Sequence, residues 1–332
     1  MSDATPHEFH APPPPPAPAP VAPRPTKLRI AGIVVFVIGL LILIGGIIKL
    51  LPGGILTGAV VAFFGLCLFG LGFVPLPAPA ADGLAPMSTI GTLTGIFFEP
   101  TQVFRNLRRH PRWLAAFVII VVLNLGYATA FTHRLTPERI VDYLTEKMGQ
   151  TPFIPPEAVE RAKVTQLEQL QDPLQRLQTA LKSTVGWFVL YGITAALYLL
   201  GVLVFGGRMN YWQSFSMVLY SALPWVVAQK IISLIILYVK SPDDIHPLRG
   251  QETLVQDNLG FLFSPADHPV LFVTATGFGI LSFYWLWLRA TGLHNTGERV
   301  TKTAAWSVAI LFWVLLLLLG IILAAIFPAF IS

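Results

Sequence analysis

Seven stretches of the chain stay apolar for long enough to cross a hydrocarbon core of about 30 Å, a distance that takes roughly 20 helical residues. The first runs uncharged from Ile30 to Ile48, turns at Leu51-Pro52-Gly53-Gly54 and returns from Ile55 to Leu76, which reads as a helical hairpin. The others are Trp113 to Phe131, Thr184 to Phe205, Phe215 to Val239 with one lysine inside, Val270 to Leu288, and Ala304 to Phe327. A Pro/Ala-rich stretch from Val74 to Pro86 separates the hairpin from the rest, giving a two-plus-five arrangement. The pattern predicts an all-α integral membrane protein of about seven transmembrane helices. Residues 28–76 form the hairpin, 77–89 a linker, and 90–332 a five-span domain with a helical insert at about 132–182.

Composition agrees. Charged residues make up 12% of the chain, against about 25% in soluble globular proteins, which argues against a soluble enzyme. The single cysteine, Cys67, lies in an apolar run, so an intramolecular disulfide and a cysteine-based zinc cluster are both excluded. The first span is longer than a signal-peptide core and no small-residue cleavage site follows it closely, so it is read as retained. Before it, residues 1–27 hold ten prolines, a composition that favours extended polyproline II over a packed core. A disordered cytoplasmic spacer is expected there, with a polyproline ligand at Pro12 to Pro16 as the sharper alternative.

Charge sets the expected orientation. With the N-terminus inside, the inner face holds eleven Lys and Arg against five acids, and the outer face ten bases against twelve acids in longer loops. Short inner loops rich in Arg and Lys are the orienting signal, so the N-terminus is expected in the cytoplasm and the C-terminus outside. In this assignment Arg289 falls in an inner loop.

Three regions carry candidate function. Glu99 to Pro111 reads as a short helix opened by Pro100, with Val103, Phe104 and Leu107 on one arc and Thr101, Arg105, Arg108 and Arg109 opposite. Such a helix is expected to lie in the interface with its apolar side toward the lipid, either as a positive-inside anchor or as a recruitment surface. The insert should hold two or three helices opened by Pro137 and Pro156, with Leu167, Leu170, Leu174, Leu177 and Leu181 forming a seam interrupted by Pro173. That seam packs within the chain or on a partner. Lys230, the one charge well inside a span, either snorkels or bonds to neighbours, or serves transport; Pro224 is expected to kink the same span.

Asp243, Asp244, His246, Asp257, Asp267 and His268 in the outer loop lack a recognised metal spacing and read as solvated charge. No metal and no cofactor are expected. His7 and His10 lack the i, i+4 spacing of a zinc helix, and no nucleotide-binding or nucleophile motif occurs, so no catalytic residue is assigned.

Several segments resemble the bacterial branch of the Yip domain family, named for Ypt/Rab-GTPase-interacting proteins. These are Phe97-Phe98-Glu99-Pro100-Thr101-Gln102-Val103-Phe104 before the first core span, Tyr220-Ser221-Ala222-Leu223-Pro224 inside the third, and Leu286-Trp287-Leu288-Arg289-Ala290-Thr291-Gly292-Leu293 closing the fourth. The resemblance covers about Ile90 to Ser332. It implies a five-span membrane fold with a cytoplasmic N-terminus, the bacterial inner membrane as location, and no catalytic residues. Eukaryotic members carry Asp-Leu-Tyr-Gly-Pro before the first core span; only the proline matches Phe98-Glu99-Pro100, so the resemblance gives no ground for Rab GTPase binding. The expected partners are the lipid bilayer and other membrane proteins or a second copy, not nucleic acid. The expected function is a non-enzymatic organiser or adaptor that recruits membrane proteins, with Phe98, Glu99, Pro100, Phe104, Arg105, Arg108 and Arg109 as candidate recruitment residues. A small-solute transporter or channel, built on Lys230, the Pro224 kink and Gly277/Gly279, is the alternative.

Overall fold

The computed structural model describes residues 24–77, 85–150 and 154–328. The expected disorder of the Pro-rich tail and most of the expected linker fall on residues outside these. Thirteen α-helices follow in order among the described residues: α1 (Thr26–Ile47), α2 (Gly54–Leu71), α3 (Thr89–Phe98), α4 (Pro100–Arg109), α5 (Leu114–Leu135), α6 (Pro137–Gly149), α7 (Pro156–Gln171), α8 (Pro173–Val204), α9 (Tyr211–Val239), α10 (Arg249–Glu252), α11 (Pro269–Thr276), α12 (Ile280–Thr296) and α13 (Lys302–Ile326). Six of them (α1, α2, α5, α8, α9 and α13) are long and apolar enough to cross a membrane.

The seventh expected span is present as two helices. Between α11 and α12 the chain leaves helical geometry at Gly277 to Gly279, where it pairs with the preceding loop: Leu259 N donates to Phe278 O and Ile280 N to Asp257 O. Asp257 Oδ2 then accepts from Leu281 N at 2.7 Å, satisfying one of the orphan amides that open α12. A Cβ at Gly279 would sit 2.9 Å from that carboxylate oxygen, which is why glycine stands there. Hydropathy sees one apolar run; the polar side chain that splits it lies more than ten residues earlier in sequence.

α9 is the central helix. Trp212 to Pro224 are consecutively buried, as expected of a helix that is apolar all round, with α5, α8 and α12 packed on it and α13 on α8 and α12. Pro224 lies buried inside α9, which runs uninterrupted past it. Proline removes the amide that would bond the carbonyl four residues back. The carbonyl it leaves without that bond is that of Tyr220; one turn earlier, Ser221 Oγ donates to Met217 O at 2.7 Å.

The hairpin is closed by backbone contact. Gly32, Gly39 and Gly46 repeat every seven residues on α1, and Gly58 and Gly65 do so on α2; each is buried against the other helix. Gly53, with φ of 72°, makes the left-handed step that opens α2. The pair is docked on the rest at both ends. At one end Trp212 Nε1 donates to Val74 O (3.0 Å) and Asn210 Nδ2 to Pro75 O (2.8 Å). At the other, Gln178 Nε2 donates to Pro52 O (2.8 Å) and Gln178 Oε1 accepts from Thr57 Oγ1 (3.1 Å).

Candidate functional site

At one end of the bundle α4 forms a fixed platform. Pro100 occupies its first turn, where its missing amide costs nothing. Val103, Phe104 and Leu107 are fully buried against α12 and α9. This corrects the expectation that the apolar side meets lipid: the stripe faces the chain's own core, because α12 ends in small residues that admit it. Gly292 lies so close that an added Cβ would meet Met217 and Phe104, and Thr296 Oγ1 donates to Phe104 O at 3.4 Å.

The polar side of α4 is laced to neighbouring turns. Arg105 Nε donates to Asn295 Oδ1 (3.3 Å), Arg108 pairs with Glu298 (3.5 Å), and Arg108 O accepts from Gln213 Nε2 (2.7 Å). Arg208 and Glu298 exchange backbone hydrogen bonds at 2.7 and 2.6 Å, tying the α8–α9 and α12–α13 connections together. Arg109 is half-buried. An exposed apolar group at this end is Phe98, 84% exposed at the end of α3, flanked by exposed Glu99 and, on the next two turns, Thr101, Gln102 and Arg105.

At the opposite end the insert and the 240–268 loop cover the bundle. Pro137, Pro156 and Pro173 each begin a helix, and Asp172 Oδ1 caps α8 by accepting from Leu174 N at 2.9 Å. The 32 residues of α8 reach about 48 Å, well beyond the hydrocarbon core, so its first turns project with α7 packed beside them. None of the residues of α7 is buried. Within the leucine seam Leu170 packs inward, while Leu174, Leu177 and Leu181 are exposed, as is Val164 on α7.

Lys230 closes this end from below. It is only 7% exposed; its Nζ donates to Glu252 O at 2.5 Å and lies 4.6 Å from the centre of the Tyr127 ring. Tyr127 Oη donates to Gly250 O, and Ser233 Oγ accepts from Leu254 N at 2.9 Å. Three side chains from two spans thus hold α10 and its flanks onto the bundle. Lys230 neither snorkels to water nor stands free; it binds a carbonyl of its own chain.

Asp243 and His246 of the same loop are engaged too, while Asp244, Asp267 and His268 are exposed. Arg139 reaches Asp243 at 3.0 Å. His246 Nδ1 accepts from Leu248 N and Arg249 N, both at 3.2 Å, which puts the ring proton on Nε2, 3.0 Å from Tyr143 Oη. Burial, then the charges of Arg249 and Lys147, lower the His246 pKa to about 4 from an ordinary 6.5. The folded state therefore binds fewer protons than the unfolded chain, and stability is lost as pH falls from about 6.5 through about 4. Hydrogen exchange at 246–250 should rise on acidification across that window, and His246→Gln should remove the pH dependence; an unchanged profile in the variant would contradict this assignment.

Arg289, expected in an inner loop, is instead buried inside the α12 stretch. A run-length reading stops a span at the first charge, and only the continued pattern of small and apolar residues to Thr296 hints that the helix goes on.

These features define a polytopic, all-helical integral membrane protein with a capped bundle and a fixed amphipathic platform at one end. The Yip1 domain matches residues 94–324, more than two thirds of the chain, and the chain belongs to the Yip1 domain family. The hairpin lies outside that match. No curated protein and no solved structure matches the chain.

Proposed function

We propose that this protein is a non-enzymatic membrane organiser that holds other membrane proteins through surfaces at its two ends. The observation that carries the reading is the projecting arm formed by α7 and the start of α8. A sixteen-residue helix with no buried residue, continuing into exposed Leu174, Leu177 and Leu181, presents apolar side chains that single-chain packing leaves uncovered, from the end of the insert down to the level at which Gln178 meets the hairpin turn. The Phe98 end offers a second, smaller surface on a platform held by Arg105, Arg108 and buried Phe104. In this reading the chain sits in the bacterial inner membrane with its N-terminus and α4 cytoplasmic and the arm outside, as the charge distribution and the family resemblance favour. The domain division keeps the hairpin, 28–76, as an accessory pair docked on the 90–332 domain.

The small-solute conduit gains less support. Its motive was Lys230, Pro224 and Gly277/Gly279, yet Lys230 is engaged by Glu252 and Tyr127, and a Cβ at Gly277 would meet Leu317.

The test is a triple substitution of Val164, Leu177 and Leu181 by serine. Copurification of a stoichiometric protein partner should fall at least about tenfold, equivalent to about 1.4 kcal/mol, with the melting temperature of the isolated chain unchanged. Undiminished partner recovery from the triple variant and from Phe98→Ser would sink the proposal.

A further inference from the structure

The buried guanidinium of Arg289 has no partner for two of its donors. The residue is 2% exposed, and its Nε and Nη1 are both buried without a hydrogen-bond acceptor among the described residues. Arginine carries five N–H donors and no acceptor, and it stays charged in a protein. A cation so placed is costly unless something satisfies its edge.

Two aromatic rings lie against it. Cζ lies 5.1 Å from the centre of the Tyr198 ring on α8 and 4.9 Å from that of Trp285, one turn back on α12. Aromatic faces stabilise the charge but accept nothing from the in-plane N–H groups. Nε–H and Nη1–H are therefore left without an acceptor among the described residues. Tyr198 Oη, on one of these rings, is likewise buried without a partner among the described residues. Tyr191 lies seven residues earlier on the same face of α8 and, like Trp285, is only partly covered, so the rim of the site reaches the surface of the bundle.

No carboxylate among the described residues answers this charge. Of the acids at that end of the bundle, Glu298 pairs with Arg108 and Glu99 is exposed at the start of α4. Arg289 lies seven residues, about 10 Å, from the end of α12 at Thr296, the depth at which a bilayer passes from headgroups to chains.

We propose that Arg289, walled by Tyr198 and Trp285, is a binding site for a phosphate-type oxyanion. Nε–H and Nη1–H, on two edges of the guanidinium, each offer a charge-assisted hydrogen bond to a phosphate-type oxygen, and the Tyr198 hydroxyl is a further donor. Basic pockets between transmembrane helices near one leaflet receive anionic lipid headgroups by this chemistry; free phosphate offers the same oxygens. The proposal stands independently of the organiser reading.

The experiment uses the full chain purified in a neutral detergent, with three probes: dioleoylphosphatidylglycerol, dioleoylglycerol, which has the same tails without phosphate, and inorganic phosphate. Native mass spectrometry and the melting temperature report binding. The wild-type protein should take up one phosphatidylglycerol saturably and melt higher, with no such response to dioleoylglycerol. Arg289→Met should weaken that binding at least about tenfold. Saturable uptake of inorganic phosphate at a level matching the lipid would assign the site to the free ion. Should Arg289→Met not fold, Tyr198→Phe, which keeps the ring and removes only the hydroxyl, and Arg289→Lys, which keeps the charge and removes the guanidinium donors, decide in its place. Affinity unchanged in the variants, or no saturable binding of either phosphate probe, overturns the proposal.

Discussion

Gly39→Leu is expected to separate α1 from α2. A Cβ at residue 39 would lie 2.2 Å from Ala62 N and 2.6 Å from its Cα, and one at Gly65 would lie 2.3 Å from Phe36 N. The obstruction is backbone, which no rotamer change relieves. Within lipid there is little hydrophobic force between helices, so the pair depends on van der Waals contact at close approach, the reason small residues line such interfaces. Overpacking typically costs about 1–3 kcal/mol, and backbone contact on both sides puts this substitution at the upper end. Gly70 is the control, since nothing lies within 4 Å of a Cβ there. Spin labels at exposed Leu40 and Phe63, in a background with Cys67 replaced by alanine, should give one narrow distance in the parent and in Gly70→Leu. Gly39→Leu should give a broad, longer distribution; a distance unchanged by Gly39→Leu would refute the backbone-contact account.

Lys230→Met should release the loop over the opposite end. The substitution leaves Glu252 O without its donor and strips the charge from the Tyr127 ring. An unsatisfied buried carbonyl costs about 1–3 kcal/mol, and a desolvated cation–π contact adds roughly 2 kcal/mol. Amide exchange from Gly250 to Val255 should accelerate while α9 keeps its protection. Tyr127→Phe removes the donor to Gly250 O and should act in the same direction with a smaller effect, because Lys230 still holds the carbonyl of Glu252. If exchange in the loop stays at the parental rate while a solute flux is lost, Lys230 belongs to a conduit and not to a clamp.

What the sequence disclosed follows from which forces are local. Apolar run length depends on neighbours in the chain, so the hairpin and the spans ending at Leu135, Val204, Val239 and Ile326 were legible to within a few residues, apart from the start of α8, whose projecting turns are polar. Prolines 100, 137 and 156 act on their own turn, and each begins a helix as expected; Pro173, read only as a break in the leucine seam, begins one too. The failures are long-range. α4 was expected on lipid because its amphipathic pattern cannot say what covers the apolar side; the cover is α12, nearly two hundred residues later. The break before α12 depends on Asp257 bonding Leu281 N, and the role of Lys230 depends on a carbonyl in the loop after its own helix. Arg289 was misplaced because charge was used as a marker of the membrane boundary, whereas two aromatic faces from different helices admit it to the interior.

The organiser reading places function on exposed side chains and not along a path through the bundle. Photo-cross-linking in living cells tests this at single positions, with a photoreactive residue replacing Leu177 on the projecting arm, Phe98 beside α4, or Leu316 on the outer side of α13, all three exposed in the isolated chain. The account predicts a discrete protein adduct from Leu177 and from Phe98 and lipid adducts alone from Leu316. Lipid or water products alone from all three positions would contradict it.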